Sequence, residues 1–277
     1  MTARASVLYD VPGPRARARY RAFGVLGAAG IAALLWYVYA QLAEHGQFSA
    51  QMWAPFEYTA VQQLILNGVR DTLTAFGLAA LLSLVLGALL AAGRLSDHRP
   101  VRWAASAVVE FFRAMPLLIM IFALYQAVFS SQPLWALVLG LGLYNGSVQA
   151  EIIRSGVNAV PRGQSEAAYA LGLRKTQVMA TVLVPQAVRA MLPAMIGQLV
   201  VTLKDTSLGF VITYTELLYA GKLIAGNTST PQGYPYIPVV LVIAPIYIAL
   251  CLALTALARW IESRGRRGAN RRTPAPA

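Results

Sequence analysis

Apolar residues gather in six long runs, covering about 22–43, 64–92, 104–129, 134–153, 190–214 and 236–260. A helix needs about 20 such residues to cross a hydrocarbon layer ~30 Å thick. The pattern therefore predicts an all-α, polytopic membrane protein with about six transmembrane helices. The second run exceeds the need and should tilt or project. Pro116, within the third, predicts a kink. The fifth is interrupted by Lys204, Asp205, Thr206 and Ser207.

The longest polar interruption spans residues 160–193. Its punctuation predicts two short helices. Pro161 can open the first, because proline is tolerated in a first helical turn. Residues 164–171 are mostly good helix formers, and Gly172 stands where a left-handed C-cap would stop them. Thr176 can cap a second helix, which Pro185 should end or kink.

Composition agrees with the runs. Of 277 residues, 57% are hydrophobic and only 12% charged, with mean hydropathy +0.56. Lys and Arg total 23 against 11 Asp and Glu. Such an excess can signal nucleic acid, but here it gathers at the ends of apolar runs. Tails and alternate loops hold nineteen of the 23, and the two long remaining loops hold one, Lys222. That asymmetry places both termini and loop 160–185 in the cytoplasm, with no nucleic-acid partner. Residues 1–21 read as a basic tail in which Pro12 and Pro14 oppose a compact helix. Residues 22–43 are too long for a signal-peptide core and lack a clean cleavage site, so they read as a retained span. Residues 261–277 read as a second basic, disordered tail.

Glu166-Ala167-Ala168, then Gly172, then the apolar run to Pro185, resembles the EAA loop of ABC-importer permeases. The resemblance implies that the first short helix docks into a groove on a separate ATP-hydrolysing subunit. Arg162, Gly163, Gln164, Glu166, Ala167, Ala168, Leu171 and Gly172 would carry the contact. Residues 68–73, GVRDTL, resemble the opening of the amino-acid permease core. YNGSVQAEIIRSGVNAVPRGQSEAAYALG and LKDTSLGFVI are similar to stretches of the polar amino-acid family. The start SVLYDVPGPRAR, with the extra first span, looks like its glutamate-uptake branch. Gly209-Phe210 departs from the more polar or aliphatic residues expected after that branch's TSL. On this resemblance residues 22–60 are an added span and external loop, and 61–260 form the family core. It also implies an ATPase pair, a second permease subunit, identical or different, and an extracytoplasmic substrate-binding protein.

The chain offers no G-x-x-x-x-G-K-[ST] phosphate loop, so it should not hydrolyse ATP itself. His45 and His98 fall on opposite sides of the predicted membrane, and Cys251 is the lone cysteine, so neither a metal site nor a cofactor is expected. Glu110 with Arg113, and Glu151 with Arg154, have the spacing of local ion pairs. A translocation site is expected where polar residues lie deep in spans. Tyr144, Asn145 and Ser147 do so in the fourth span, and Lys204 lies about 14 residues, or ~21 Å, into the fifth. Asp205, Thr206 and Ser207 are placed to cap a second half-helix whose positive end would face an anion. Equally, Lys204 and Asp205 can neutralise each other and only fix packing. An anionic amino acid, glutamate, fits the first reading, with glutamine or arginine as alternatives. An ion-coupled secondary transporter is the rival class, but the halves show no inverted repeat.

Overall fold

The computed structural model describes residues 13–270, with side chains through residue 260. The described residues are helical apart from turns and one isolated bridge, Thr230 with Gly233. In order the helices are α1 Pro14–Glu44, α2 Thr59–Arg94, α3 Arg99–Ala114, α4 Leu117–Ala127, α5 Pro133–Asn158 and α6 Arg162–Ala170. They continue with α7 Lys175–Gln177, α8 Val184–Asp205, α9 Leu217–Asn227 and α10 Tyr236–Asn270. Five stretches are long and apolar enough to cross a membrane, and the bent pair α3–α4 makes a sixth if counted as one span.

α2 and α5 form the centre. Lipid tails are as apolar as leucine, so close backbone approach, not hydrophobic burial, holds such helices together. The sequence provides for this. On α2, Gly68, Thr72, Ala75, Ala79, Ser83, Gly87 and Ala91 recur every three or four residues, all buried along one seam. On α5, Gly142 and Gly146 meet Leu82 and Leu86 so closely that an added Cβ would lie 2.4 and 3.0 Å from those side chains. Leu137, Leu141, Ile121 and Ile212 complete the core beside Ala75 and Ala79.

Several expectations change. Pro116 does more than kink the third run: α3 and α4 meet at 98°. Pro185 does not end a second short helix. A π-helical segment, Val178–Leu183, joins α7 directly to α8, and Pro185 sits in the first turn beyond it. Proline lacks the N–H that would bond one turn back, and a π segment is a common way for a helix to absorb such a defect. The cap belongs to Arg174 and not Thr176: the Arg174 N–H donates to Gln177 Oε1 at 2.8 Å. Pro14 starts α1 instead of opposing it, since its missing donor is among those the first turn leaves unpaired anyway. α10 runs to Asn270, so part of the expected tail is helical. Arg4, Pro12, Arg271 and Arg272 lie outside the described residues.

α1 buries none of its residues. It is joined to the bundle through the loop that follows it. Met52 is buried there, and Gln47 donates to the Tyr234 carbonyl at 3.2 Å and accepts from the Ile237 N–H at 3.2 Å.

Candidate functional site

Two regions carry the residues singled out by the sequence. The first is the hairpin of α6 and α7 at one end of the bundle. α6 stops in a Schellman turn: the Gly172 N–H donates to Tyr169 O at 2.9 Å and the Leu173 N–H to Ala168 O at 3.3 Å. Gly172 has φ +79°, the left-handed conformation that its position predicts. Ala168 is buried within the chain, whereas Arg162, Gly163, Gln164, Glu166 and Ala167 are exposed. Tyr169 is 48% and Leu171 83% exposed, an apolar edge held out from the bundle.

The hairpin is tied back to the spans. Lys175 Nζ donates to the Leu95 carbonyl at 3.0 Å and forms an ion pair with Asp97, both in the loop between α2 and α3. The hydrogen bond from Lys175 holds the Asp97 carboxyl below its ordinary value of 3.8. Beneath it Arg94 bridges two carboxylates, Glu151 at 2.8 Å and Glu110 at 3.4 Å, and Arg154 joins Glu151 at 2.5 Å. The Glu151–Arg154 pair is as spaced in the sequence. Glu110 instead pairs with Arg94, across helices, and not with Arg113 on its own helix.

The second region is a cleft of about 550 Å³ between α8, α9 and α10. Lys204, Ser207, Phe210, Lys222, Tyr236 and Tyr247 line it with small and branched apolar residues. Lys222 Nζ stands 4.8 Å from the Phe210 ring centre and 5.5 Å from that of Tyr219, so aromatic faces hold the ammonium in place. Lys204 is exposed in the cleft, and among the described residues no ion pair joins it to Asp205. Thr206 lies behind the wall, 2.7 Å from the Tyr247 hydroxyl. Ser207 donates to the Lys204 carbonyl at 2.9 Å.

The fourth-span residues are not on the cleft. Asn145 and Ser147 are fully buried. Asn145 Nδ2 donates to Leu141 O at 3.0 Å, its Oδ1 accepts from Gln198 Nε2 at 2.7 Å, and Ser147 donates to Leu143 O at 2.9 Å. Tyr144 is half-buried on the same helix. Asp205 caps no half-helix either. A 3₁₀ segment, Thr206–Ile212, continues from α8, and the chain turns at Thr213, φ +58°. The true half-helix is α9. Glu216 caps it, accepting from the Leu218 and Tyr219 N–H groups, each at 2.8 Å. Its positive end is thus already occupied by a carboxylate.

Sequence reasoning missed three of these residues. Lys222 falls in a stretch whose charge pattern predicts an external loop. Gln149 and Gln198 are polar residues inside apolar runs, a signal that was there to be read. Gln149 is fully buried, donates to Met195 O at 3.1 Å, and leaves its Oε1 without a partner.

A bundle of spans with an exposed helical hairpin at one end and a largely apolar cleft carrying two lysines is the architecture of a multi-pass membrane subunit. The model of the family described as binding-protein-dependent transport system inner membrane component matches residues 83–267, and the chain belongs to that family. It is 42% identical over 239 residues to the glutamate transport system permease protein GluD of Corynebacterium glutamicum, covering 83% of this chain and 86% of that one. It is 30% identical over 205 residues to the arginine transport system permease protein ArtQ of Bacillus subtilis, covering 72% and 91%. Among solved structures it resembles an amino acid ABC transporter crystallised with histidines, at a TM-score of 0.67 and 30% identity, covering 73% of this chain and 94% of that one. The chain is a non-catalytic permease, with ATP hydrolysis in a partner subunit. Membership implies an ATPase and a binding protein as partners in general terms.

Proposed function

We propose that the chain is a permease subunit of an ATP-driven importer for glutamate, with both termini and α6 in the cytoplasm. In this reading α6 docks on the ATPase through Arg162, Gly163, Gln164, Glu166, Ala167, Leu171 and the Gly172 turn, with Ala168 packed behind. A second permease subunit, identical or different, completes the pathway, and an extracytoplasmic binding protein delivers substrate. The arginine asymmetry of the loops supports the orientation. The similarity to a glutamate permease supports the substrate class.

The observation that carries the substrate reading is the cleft. Lys204 and Lys222 both line it and, among the described residues, no carboxylate does. Two ammonium groups in a mostly apolar cleft favour an anion. Thr206 and Ser207 shape the wall beside Lys204, and Asp205 follows it in the chain. In this reading half-buried Tyr144 borders a neighbouring stretch of the path, with Asn145, bonded to Gln198, and Ser147 buried behind it until the subunit moves.

The test is uptake of radiolabelled glutamate by the whole complex, challenged with excess glutamine, aspartate and arginine. Glutamate and aspartate should compete. Lys204→Met should reduce uptake while the ATPase still assembles, and Lys204→Arg should keep part of it. Competition by arginine alone, or normal uptake by Lys204→Met, overturns the anionic-substrate reading.

A further inference from the structure

The transport reading gives α3 no role. Along it Arg99, Arg102, Ser106, Glu110 and Arg113 recur every three or four residues, so they form one polar stripe. Much of the remaining circumference is apolar and open, with Trp103 75%, Phe111 57%, Val101 49% and Val108 39% exposed. A third face packs inward. Ala105 lies against Gly93, and Val109 clusters with Ala91 and Ala150.

Those inward contacts fix the depth of α3. They fall on the last turns of α2 and on the later half of α5, which leads into α6. α4, by contrast, runs beside the first half of α5, with Ile121 against Gly140 and clustered with Leu137 and Leu141. α3 and α4 meet at 98°, and α3 packs where α2 ends and α5 leads towards α6. An amphipathic helix in that position puts rings among acyl chains and charges among headgroups.

The charge balance selects the headgroup. The stripe carries three arginines and one glutamate. Glu110 is engaged by Arg94, and Arg102 donates to the Ser96 carbonyl at 2.9 Å. Arg99 and Arg113 are exposed and, among the described residues, neither lies within 4 Å of a carboxylate, although Arg113 is near enough to Glu151 to be attracted by it. A zwitterionic headgroup carries its own cation beside the phosphate, whereas an anionic phospholipid presents net negative charge.

We propose that α3 is an in-plane helix that binds anionic phospholipid headgroups through Arg99 and Arg113, with Trp103 and Phe111 in the acyl layer. The site is coupled to α6 by two links. Lys175 grips the loop that enters α3, at Leu95 and Asp97. Glu110, Arg94, Glu151 and Arg154 form a chain of ion pairs from α3 to the end of α5. Lipid bound at α3 thereby restrains the hairpin that faces the ATPase.

The experiment uses the full-length chain in a Cys251→Ser background, with Trp103, Ala107, Phe111 or Ala114 replaced singly by cysteine and labelled with bimane. Vesicles contain phosphatidylcholine and phosphatidylglycerol, with brominated acyl chains on one or the other. The four labels should report a common depth, and brominated phosphatidylglycerol should quench more than its bulk fraction allows. Arg99→Gln and Arg113→Gln should each lower that enrichment about fivefold, from the attraction of one basic residue to an anionic surface. Arg99→Lys and Arg113→Lys should retain most of it. A depth that deepens steadily from residue 103 to 114 overturns the proposal, as do equal quenching by both lipids and quenching by neither.

Discussion

Replacing Gly172 by alanine perturbs the α6 turn through its backbone alone. An added Cβ meets nothing within 4 Å, so no clash is introduced. The cost is conformational, because φ is +79° and a left-handed residue with a side chain loses about 1–2 kcal/mol. That loss weakens the two hydrogen bonds that close the Schellman turn, from Gly172 and Leu173 to Tyr169 and Ala168. At ~1.4 kcal/mol per factor of ten, the turn should open roughly 5- to 30-fold more often. Hydrogen exchange on the assembled complex reads this directly, as faster exchange of the amides of Gly172's replacement and Leu173. Gly172→Asn should lie between, since asparagine tolerates the left-handed region better. Gly163→Ala is the control. That position is helical and also open, so alanine should leave exchange at the turn unchanged or slow it. If α6 transmits motion to the ATPase, Gly172→Ala should also lower uptake per ATP hydrolysed. Exchange and coupling both at the unsubstituted level would refute the argument.

Gly87→Val should lower the thermal midpoint in detergent, because even a Cβ would sit 2.6 Å from Gln149 Cβ and 3.2 Å from the Gly146 carbonyl. Overpacking of that kind costs about 1–3 kcal/mol; Gly77→Val, with nothing within 4 Å, should be silent, and equal midpoints for the two would contradict the α2–α5 seam. The Asp97–Lys175 tie should persist at mildly acidic pH. The carboxyl is held low by the Lys175 hydrogen bond, so its contribution is present above 3.8 and is lost only as pH falls through the lower value in the folded chain. Carboxyl NMR should show Asp97 titrating upward toward its ordinary value in Lys175→Ala, and an unchanged titration would remove the tie.

What the sequence revealed was what adjacent residues decide. α6 and its glycine stop were legible because helix formers, Gly172 and the left-handed turn all lie within one turn of chain. The long spans were legible because membrane length alone sets them. Pairings between helices were not. Glu110 was given to Arg113, three residues away, because the partner it takes, Arg94, is brought near only by the packing of α3 on α2. The angle at Pro116 was also beyond reach: proline marks a break, but the packing of Ile121 on α5 and of Val109 on the helix end sets 98°. Pro185 marks no helix end, since the π segment before it absorbs the missing donor. α9 was read as loop although Glu216 and the apolar LLYAGKLIAGN after it carry a cap and a helix of their own. The cleft was half visible. Lys204 stood out as a cation within a span, but Lys222 joins it only through the return of α9.

The central claim is that the exposed edge of α6 passes ATP-driven motion to this permease, and Leu171 tests it most directly. The side chain is 83% exposed and has no packing role within the chain. Leu171→Asp should therefore leave the protein inserted and folded. The measurement is the affinity of the ATPase subunit for the permease complex in nanodiscs, taken together with glutamate uptake by the same preparation. ATPase affinity should fall at least about tenfold, a loss of ~1.4 kcal/mol, with uptake falling alongside. Unchanged ATPase affinity and full uptake in a properly inserted Leu171→Asp variant would contradict it.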